Sequence, residues 1–194
     1  MKSFKQFQEA KRGPWQIVMI GGPGSGKSTY SEFITKHFDI PHIYTGDMMR
    51  NLAKTNDKVK DLLDKGKFAP TDIVIKAVLD RLKKPDARNG YVFDGFPRSM
   101  EQVNAMDKNN IDVNFIINLQ VSEKEVIKRL TARGRADDKP EIIKQRLATH
   151  EKEVSPVIDH YKERLINIKA EGDTPENIAK SIIKRIEKWK TLTT

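Results

Sequence analysis

Six residues, WQIVMI from Trp15 to Ile20, run directly into GGPGSGKST, Gly21 to Thr29. Four glycines within six positions give a backbone that can turn where side chains would block it. The lysine and hydroxyls that follow open a stretch of helical periodicity. Gly21-Gly22-Pro23-Gly24-Ser25-Gly26-Lys27-Ser28 fits G-x-x-x-x-G-K-[ST], and it sits between an expected strand and an expected helix, as this pattern requires. Such a loop turns its N–H groups inward at a helix N-terminus, where the helix dipole adds positive potential, and so cradles anions. Lys27 is placed to bridge β- and γ-phosphate oxygens, and Ser28 to put its hydroxyl on Mg²⁺. Gly22, Gly24, Ser25, Gly26, Lys27, Ser28 and Thr29 are the residues expected to hold a nucleoside triphosphate.

Four more short apolar runs follow: Ile40 to Tyr44, Tyr91 to Asp94, Asn114 to Val121 and Leu165 to Ala170. Between them lie stretches with helical spacing. These are Ser28 to Phe38, Asp47 to Lys65 as two short helices, Asp72 to Leu82, Ser122 to Thr131, Pro140 to Tyr161 and Thr174 to Lys190. Two of these openings, SEKE at Ser122 and TPEN at Thr174, read as helix starts, the first as a capping box and the second with proline at the first helical position. Strand-length runs separated by helical stretches predict an α/β fold with a five-stranded parallel sheet and crossover helices on both faces. No internal repeat or linker divides the chain. Residues 1–12 are expected to form a tail outside the core.

At 194 residues the chain suits one domain, and 37% hydrophobic against 32% charged content is that of a globular protein. With no cysteine and four scattered histidines, neither a disulfide framework nor a protein-held zinc site is expected. No signal peptide or membrane span is read, so a soluble cytoplasmic protein is expected. The formal net charge of +9 fits nucleic acid, an anionic surface or a phosphorylated small substrate. Most lysines fall on amphipathic stretches such as DKVKDLLDKGK, where a solvated helix face accounts for them.

The arginines do not fit that account. YVFDGFPRSMEQ, Tyr91 to Gln102, is an apolar run ending in Asp94 and breaking into Gly-Phe-Pro-Arg. A carboxylate at the carboxyl end of a strand beside the glycine loop is placed to hold Mg²⁺ or its waters. Arg98, four residues on, brings a planar fork suited to phosphate into the same crevice. TGDMMR, Thr45 to Arg50, delivers Gly, Asp and Arg after the second run, and RLTARGRADD, Arg129 to Asp138, adds three arginines and two aspartates, with Arg146 beyond. Arginines around such a loop neutralise the charge that spreads over a phosphoryl group in transfer.

Taken in order, GGPGSGKST, YTGDMMR, KGKFAPTDIV, DGFPRSMEQ, RLTARGRADD and EVSPVIDHY make the chain resemble the nucleoside monophosphate kinases over about residues 15 to 185, the adenylate kinases most closely. The resemblance implies a three-layer P-loop NTPase fold with a small helical insert for the monophosphate at about 45–75 and a very short lid at about 129–140. It implies ATP, AMP and ADP as partners, Mg²⁺ bound with ATP as cofactor, a monomer, and no nucleic acid or membrane. Thr45 and Gly95 would line the AMP site, Arg50 and Arg98 would take the AMP phosphate, and Gln102 would read adenine. Arg129 would stack on the ATP base, and Arg133, Arg135 and Arg146 would surround the phosphoryl group in transfer. Which lid role belongs to Arg133 and which to Arg135 stays open. Asp94 would act through Mg²⁺ and its water, and Asp137 and Asp138 would orient the arginines. Lys27, Asp94, Arg98, Arg133, Arg135 and Arg146 form the expected catalytic set.

The pattern is not matched everywhere. Ser28 stands where the family usually has glycine, Tyr44 replaces a small residue and would crowd the AMP pocket, and the segment between Arg133 and Arg135 is a single glycine. Gln102 and Thr45 favour AMP over the alternative acceptors of a UMP/CMP kinase. A nucleic-acid-binding P-loop ATPase is the alternative from another class, and a weakened nucleotide sensor a third.

Overall fold

A computed structural model of the chain describes residues 15–134 and 138–193. The expected tail at 1–12, and Arg135 and Asp137 of the short lid, lie outside the described residues. Strands and helices alternate as β1 Trp15–Gly21, α1 Lys27–Phe38, β2 His42–Tyr44, α2 Thr45–Leu52, α3 Asp57–Asp64 and α4 Thr71–Leu82. There follow β3 Gly90–Asp94, α5 Met100–Lys108, β4 Phe115–Gln120, α6 Glu123–Arg133, α7 Pro140–His160, β5 Leu165–Lys169 and α8 Pro175–Thr193.

The strands form one parallel sheet in the order β2-β3-β1-β4-β5. The chain leaves β1 for one side of the sheet, and after β3 it crosses to the other. β1 is therefore the topological switch point, where a crevice opens at the carboxyl ends of parallel strands. The glycine loop leaves the sheet at that edge.

Strand periodicity of two separates the core into two layers. Val18, Ile20, Phe93 and Ile116 point to one face, where Val74 and Val78 of α4, Val103 and Met106 of α5 and Val154 and Val157 of α7 cover them. Ile17, Met19, Val92, Phe115, Ile117 and Leu119 point to the other, against Tyr30 and Ile34 of α1 and Ile178, Ile182 and Ile186 of α8. Both faces of β1 and β3 are covered, which is why these strands read as unbroken apolar runs. The expected three-layer α/β fold is the one observed. Among the described residues no helix is long and apolar enough to cross a membrane.

Three local readings are corrected. Helix α5 had no counterpart among the expected helices, because its buried positions Gln102, Val103 and Met106 give only a narrow apolar stripe. Its start was spelled out all the same: Ser99-Met100-Glu101-Gln102 is S-x-x-Q, and the Gln102 N–H donates to the Ser99 hydroxyl at 3.3 Å. SEKE, by contrast, forms no capping box. Ser122 precedes α6 without a side-chain cap, since its hydroxyl and its N–H both donate to Glu171 beyond β5, at 2.8 and 3.0 Å. The second apolar run shortens to His42–Tyr44, while the Pro41 carbonyl still accepts from the Val92 N–H at 3.0 Å. TPEN behaves as read, with Thr174 accepting from the Asn177 N–H at 3.3 Å.

Candidate active site

The loop between β1 and α1 is shaped by what its glycines permit. Gly26, immediately before α1, has φ +92°, and a Cβ there would stand 2.8 Å from the ring of Tyr30, one turn into the helix. Gly24, at φ +75°, lies against α6, where an added Cβ would be 3.0 Å from Leu130 Cγ. Leu130 is fully buried with Val126 and Ile143, so it is the support on which the loop rests. Leu130→Ala is expected to cost about 2–5 kcal/mol in chemical unfolding.

Lys27 folds back over this loop. Its ammonium donates to the carbonyls of Gly21 at 2.7 Å and Gly22 at 2.8 Å. Burial lowers its pKa from 10.5 to about 8; Asp94 opposes that fall, and Arg98, Arg146 and Arg133 add to it. Ser25 is turned under the loop, 1% exposed, with its N–H spent on the Gly22 carbonyl. Gly24, Gly26, Ser28 and Thr29 line the cleft itself.

Asp94 ends β3 fully buried. Its Oδ2 accepts from the Ser28 hydroxyl at 2.6 Å and from His42 Nε2 at 3.2 Å. Its Oδ1 is buried and, among the described residues, has no hydrogen-bond partner. Burial pushes this carboxyl up, but the His42 hydrogen bond, the Lys27 charge and the Ser28 hydroxyl together outweigh it and hold it below the ordinary value of 3.8. Asp94 is therefore ionised at neutral pH. Ser28, from α1, and Asp94, from β3, thus put hard oxygens side by side at the mouth of the loop, a donor set that suits Mg²⁺.

The β3–α5 corner carries the second half of the site. Gly95 has φ +77°, and the Arg98 guanidinium fills the space its Cβ would take. Arg98 Nε donates to the Gly95 carbonyl at 2.6 Å, and its guanidinium lies 5.2 Å from the centre of the Phe68 ring. Burial presses its pKa below the ordinary arginine value, with Asp94 and Tyr44 opposing and Arg146 and Arg50 adding to it. The buried Gln102 side chain accepts from the Arg98 backbone N–H at 2.8 Å through Oε1, which leaves its NH₂ as the half that can read a ligand. Thr45, 3% exposed, donates to the Asp94 and Gly95 carbonyls at 3.1 and 2.8 Å, tying α2 to this corner. Arg50 pairs loosely with Asp47 and lies 5.0 Å over the Tyr44 ring. Tyr44 in turn stacks on His42 and lines the cleft, so the ring expected to crowd the pocket also serves as a platform under Arg50.

On the far side Arg129 is held by Glu125 at 2.9 Å and by the Ala170 carbonyl at 2.9 Å. Arg133 grips the Asp138 carboxylate in a fork, 2.9 and 2.5 Å, and Arg146 Nη1 reaches the same carboxylate at 3.5 Å. The Asp138 side chain is 2% exposed, so one buried acid orients two cations, as a bidentate arginine–carboxylate pair does well. A single cleft of about 390 Å³ is lined by Lys27, Ser28, Asp94, Arg98, Arg129, Arg133 and Arg146 and by the α2 residues Thr45 and Arg50. His42, Tyr30, Phe68 and His150 also belong to the site or its supports and were not singled out from the sequence. His42 was legible only through its place two residues before the end of β2.

A parallel α/β sheet with a phosphate loop at its switch point and a ring of arginines facing it defines a P-loop phosphotransferase. A family model described as adenylate kinase matches residues 19–166. The adenylate kinase of Corynebacterium glutamicum (strain R) is 39% identical over 175 residues, covering 86% of this chain and 97% of the relative. That of Rhodopirellula baltica is 41% identical over 156 residues, covering 76% and 81%. The adenylate kinase of Mycolicibacterium paratuberculosis is 35% identical over 175 residues, covering 86% and 97%. The chain belongs to the adenylate kinase family, and it is a nucleoside monophosphate kinase. The UMP/CMP kinase and nucleic-acid ATPase alternatives give way to that finding.

Proposed function

We propose that the cleft binds Mg-ATP and AMP with their phosphates facing and transfers the γ-phosphoryl group between them, giving two ADP, reversibly. The observation that carries this reading is the convergence of Lys27, Arg98, Arg133 and Arg146 on one cleft beside the ionised Asp94. An AMP phosphate oxygen attacks the γ-phosphorus as the bond to the β-phosphate oxygen breaks. No side chain becomes a nucleophile and no covalent enzyme intermediate forms. The chain's contribution is in-line positioning and stabilisation of charge that spreads over the equatorial oxygens.

The residue roles proposed are these. The amides of Gly22 to Thr29 and Lys27 hold the β- and γ-phosphates, and Arg129, fixed by Glu125, faces the ATP base. Arg50 and Arg98 take the AMP phosphate. Thr45 and Gly95 shape the floor of the AMP site, and the Gln102 NH₂ donates to adenine. Arg133 and Arg146, oriented by Asp138, and Arg135 attend the phosphoryl group. Mg²⁺, arriving with ATP, would be held by Ser28 and, through water, by Asp94, and it neutralises phosphate oxygens; the partnerless Asp94 Oδ1 suits that role.

A panel of nucleoside monophosphates supplied with Mg-ATP, with nucleoside diphosphate formation followed, tests this. AMP is expected to turn over fastest; faster phosphorylation of UMP or CMP would overturn the adenine assignment. Arg98→Lys keeps the charge but loses the fork and the Gly95 contact. It is expected to lower kcat/KM for AMP about tenfold to a hundredfold while leaving KM for ATP unchanged. Full activity in that variant would place Arg98 outside the site.

A further inference from the structure

Helix α7 turns one stripe into the protein, and two polar residues interrupt it. Ile143, Val154 and Val157 are buried, while Arg146 and His150 stand one turn apart on the same side and line the cleft. The His150 ring reaches the glycine loop: a Cβ on Gly22 would lie 3.8 Å from its Cδ2. A fully buried histidine has its ring nitrogens satisfied by neighbours, whereas His150 is half-buried and lines the cleft. Among the described residues the His150 ring makes no hydrogen bond, and the charged groups that face it are Lys27 on the loop side and Arg98 from the β3–α5 corner. Both are cations that this cleft turns toward phosphate, so neither can accept a proton from the imidazole.

We propose that His150 is a further phosphate-binding residue of this kinase, donating an imidazole N–H to the phosphoryl chain where it passes Gly22. The state of the ring fits. Burial, then Lys27, then Arg98 lower its pKa from 6.5 to about 3, so at neutral pH the imidazole is uncharged and carries one N–H. Phosphate oxygens are acceptors only, so that N–H finds in them the partner the protein does not provide. A neutral donor at this point adds a directed hydrogen bond to a pocket already rich in cations, without adding to their mutual repulsion. The proposal rests on the reading of the cleft given above.

The test uses the full chain with ¹⁵N-labelled histidine, titrated with diadenosine pentaphosphate and, separately, with inorganic tripolyphosphate. Both probes are expected to shift the His150 ring resonances, assigned by their absence in His150→Phe. The exposed His37 and His160 serve as controls that do not move. His150→Phe is expected to weaken diadenosine pentaphosphate about tenfold to a hundredfold, the range for a lost hydrogen bond to a charged group, with no fall in the melting temperature of the nucleotide-free protein. Saturation with unmoved His150 resonances, or equal affinity in a folded His150→Phe, would overturn the proposal and leave the function intact. The wild-type titration decides the question even where the variant does not fold. A wild type that binds neither probe would overturn the reading of the cleft, and the proposal with it.

Discussion

Replacing Lys27 by methionine is expected to cut turnover about 10³-fold and, at neutral pH, to make the nucleotide-free protein more stable. The loss of rate follows from the role proposed for this ammonium at the β- and γ-phosphate oxygens, where negative charge develops. The gain in stability follows from the cost of burying that charge, to which Arg98, Arg146 and Arg133 add and which Asp94 only partly offsets. Its pKa is about 8 in the folded protein against 10.5 in the ordinary state. Below pH 8 the ammonium is charged in both states and the folded protein bears the whole penalty. Between pH 8 and 10.5 the unfolded chain holds more protons, so wild-type stability rises with pH across that window. The two carbonyls left by the ammonium, Gly21 and Gly22, offset part of the gain, which is expected at about 1–2 kcal/mol. Chemical unfolding of both proteins at pH 7 and pH 9.5 measures it: the methionine variant should lead at pH 7 and the gap should close at pH 9.5. A variant less stable at pH 7 would show that burial of the Lys27 charge carries no net penalty.

Asp94→Asn is expected to lower kcat about 10²–10³-fold, and here stability moves the other way. The carboxylate is the counter-charge for Lys27 and Arg98 and the acceptor for Ser28 and His42. An amide keeps the shape and loses the charge, leaving buried cations unopposed, at a cost of about 3 kcal/mol. Because its folded pKa lies below 3.8, the stability from this group is present above that pH and disappears as pH falls through the lower folded value. The difference in unfolding free energy between wild type and variant should therefore be constant near neutrality and shrink only in acid. Combining the two substitutions removes both members of one pair, and the double variant should be less perturbed in stability than the sum of the singles.

The fold was legible because its evidence is periodic. Apolar runs covered on both faces have no solvent-facing side to break them, and the helices between, α5 excepted, carry their own spacing. The loop was legible because eight positions in register leave little room for chance. What escaped depends on the side chain's partner rather than its position. Ser99 and Ser122 are both serines before a helix; only the fold decides that one caps and the other is captured by Glu171. Gln102 reaches back to the Arg98 N–H, one residue before the cap, a detour that no spelling encodes. His42 and His150 were read as scattered because each reaches the site from a different element. Their approach to Asp94 and Gly22 exists only once β2 lies beside β3 and α7 closes over the loop. Tyr44, expected to crowd the AMP pocket, does line the cleft, and it also carries Arg50 over its ring, a contact that its spelling alone does not announce.

The packing of α8 on α1 has a consequence for truncation. The helix that begins at Lys27 buries Tyr30 and Ile34 against Ile178, Ile182 and Ile186, and His37 meets Glu187 at 3.0 Å. The two helices meet across 150 positions of chain, so the brace of the glycine-loop helix is supplied by a segment far from it in sequence. A chain truncated before Ile178 would leave an uncovered apolar flank on α1, and the glycine loop would lose the rigid helix it runs into.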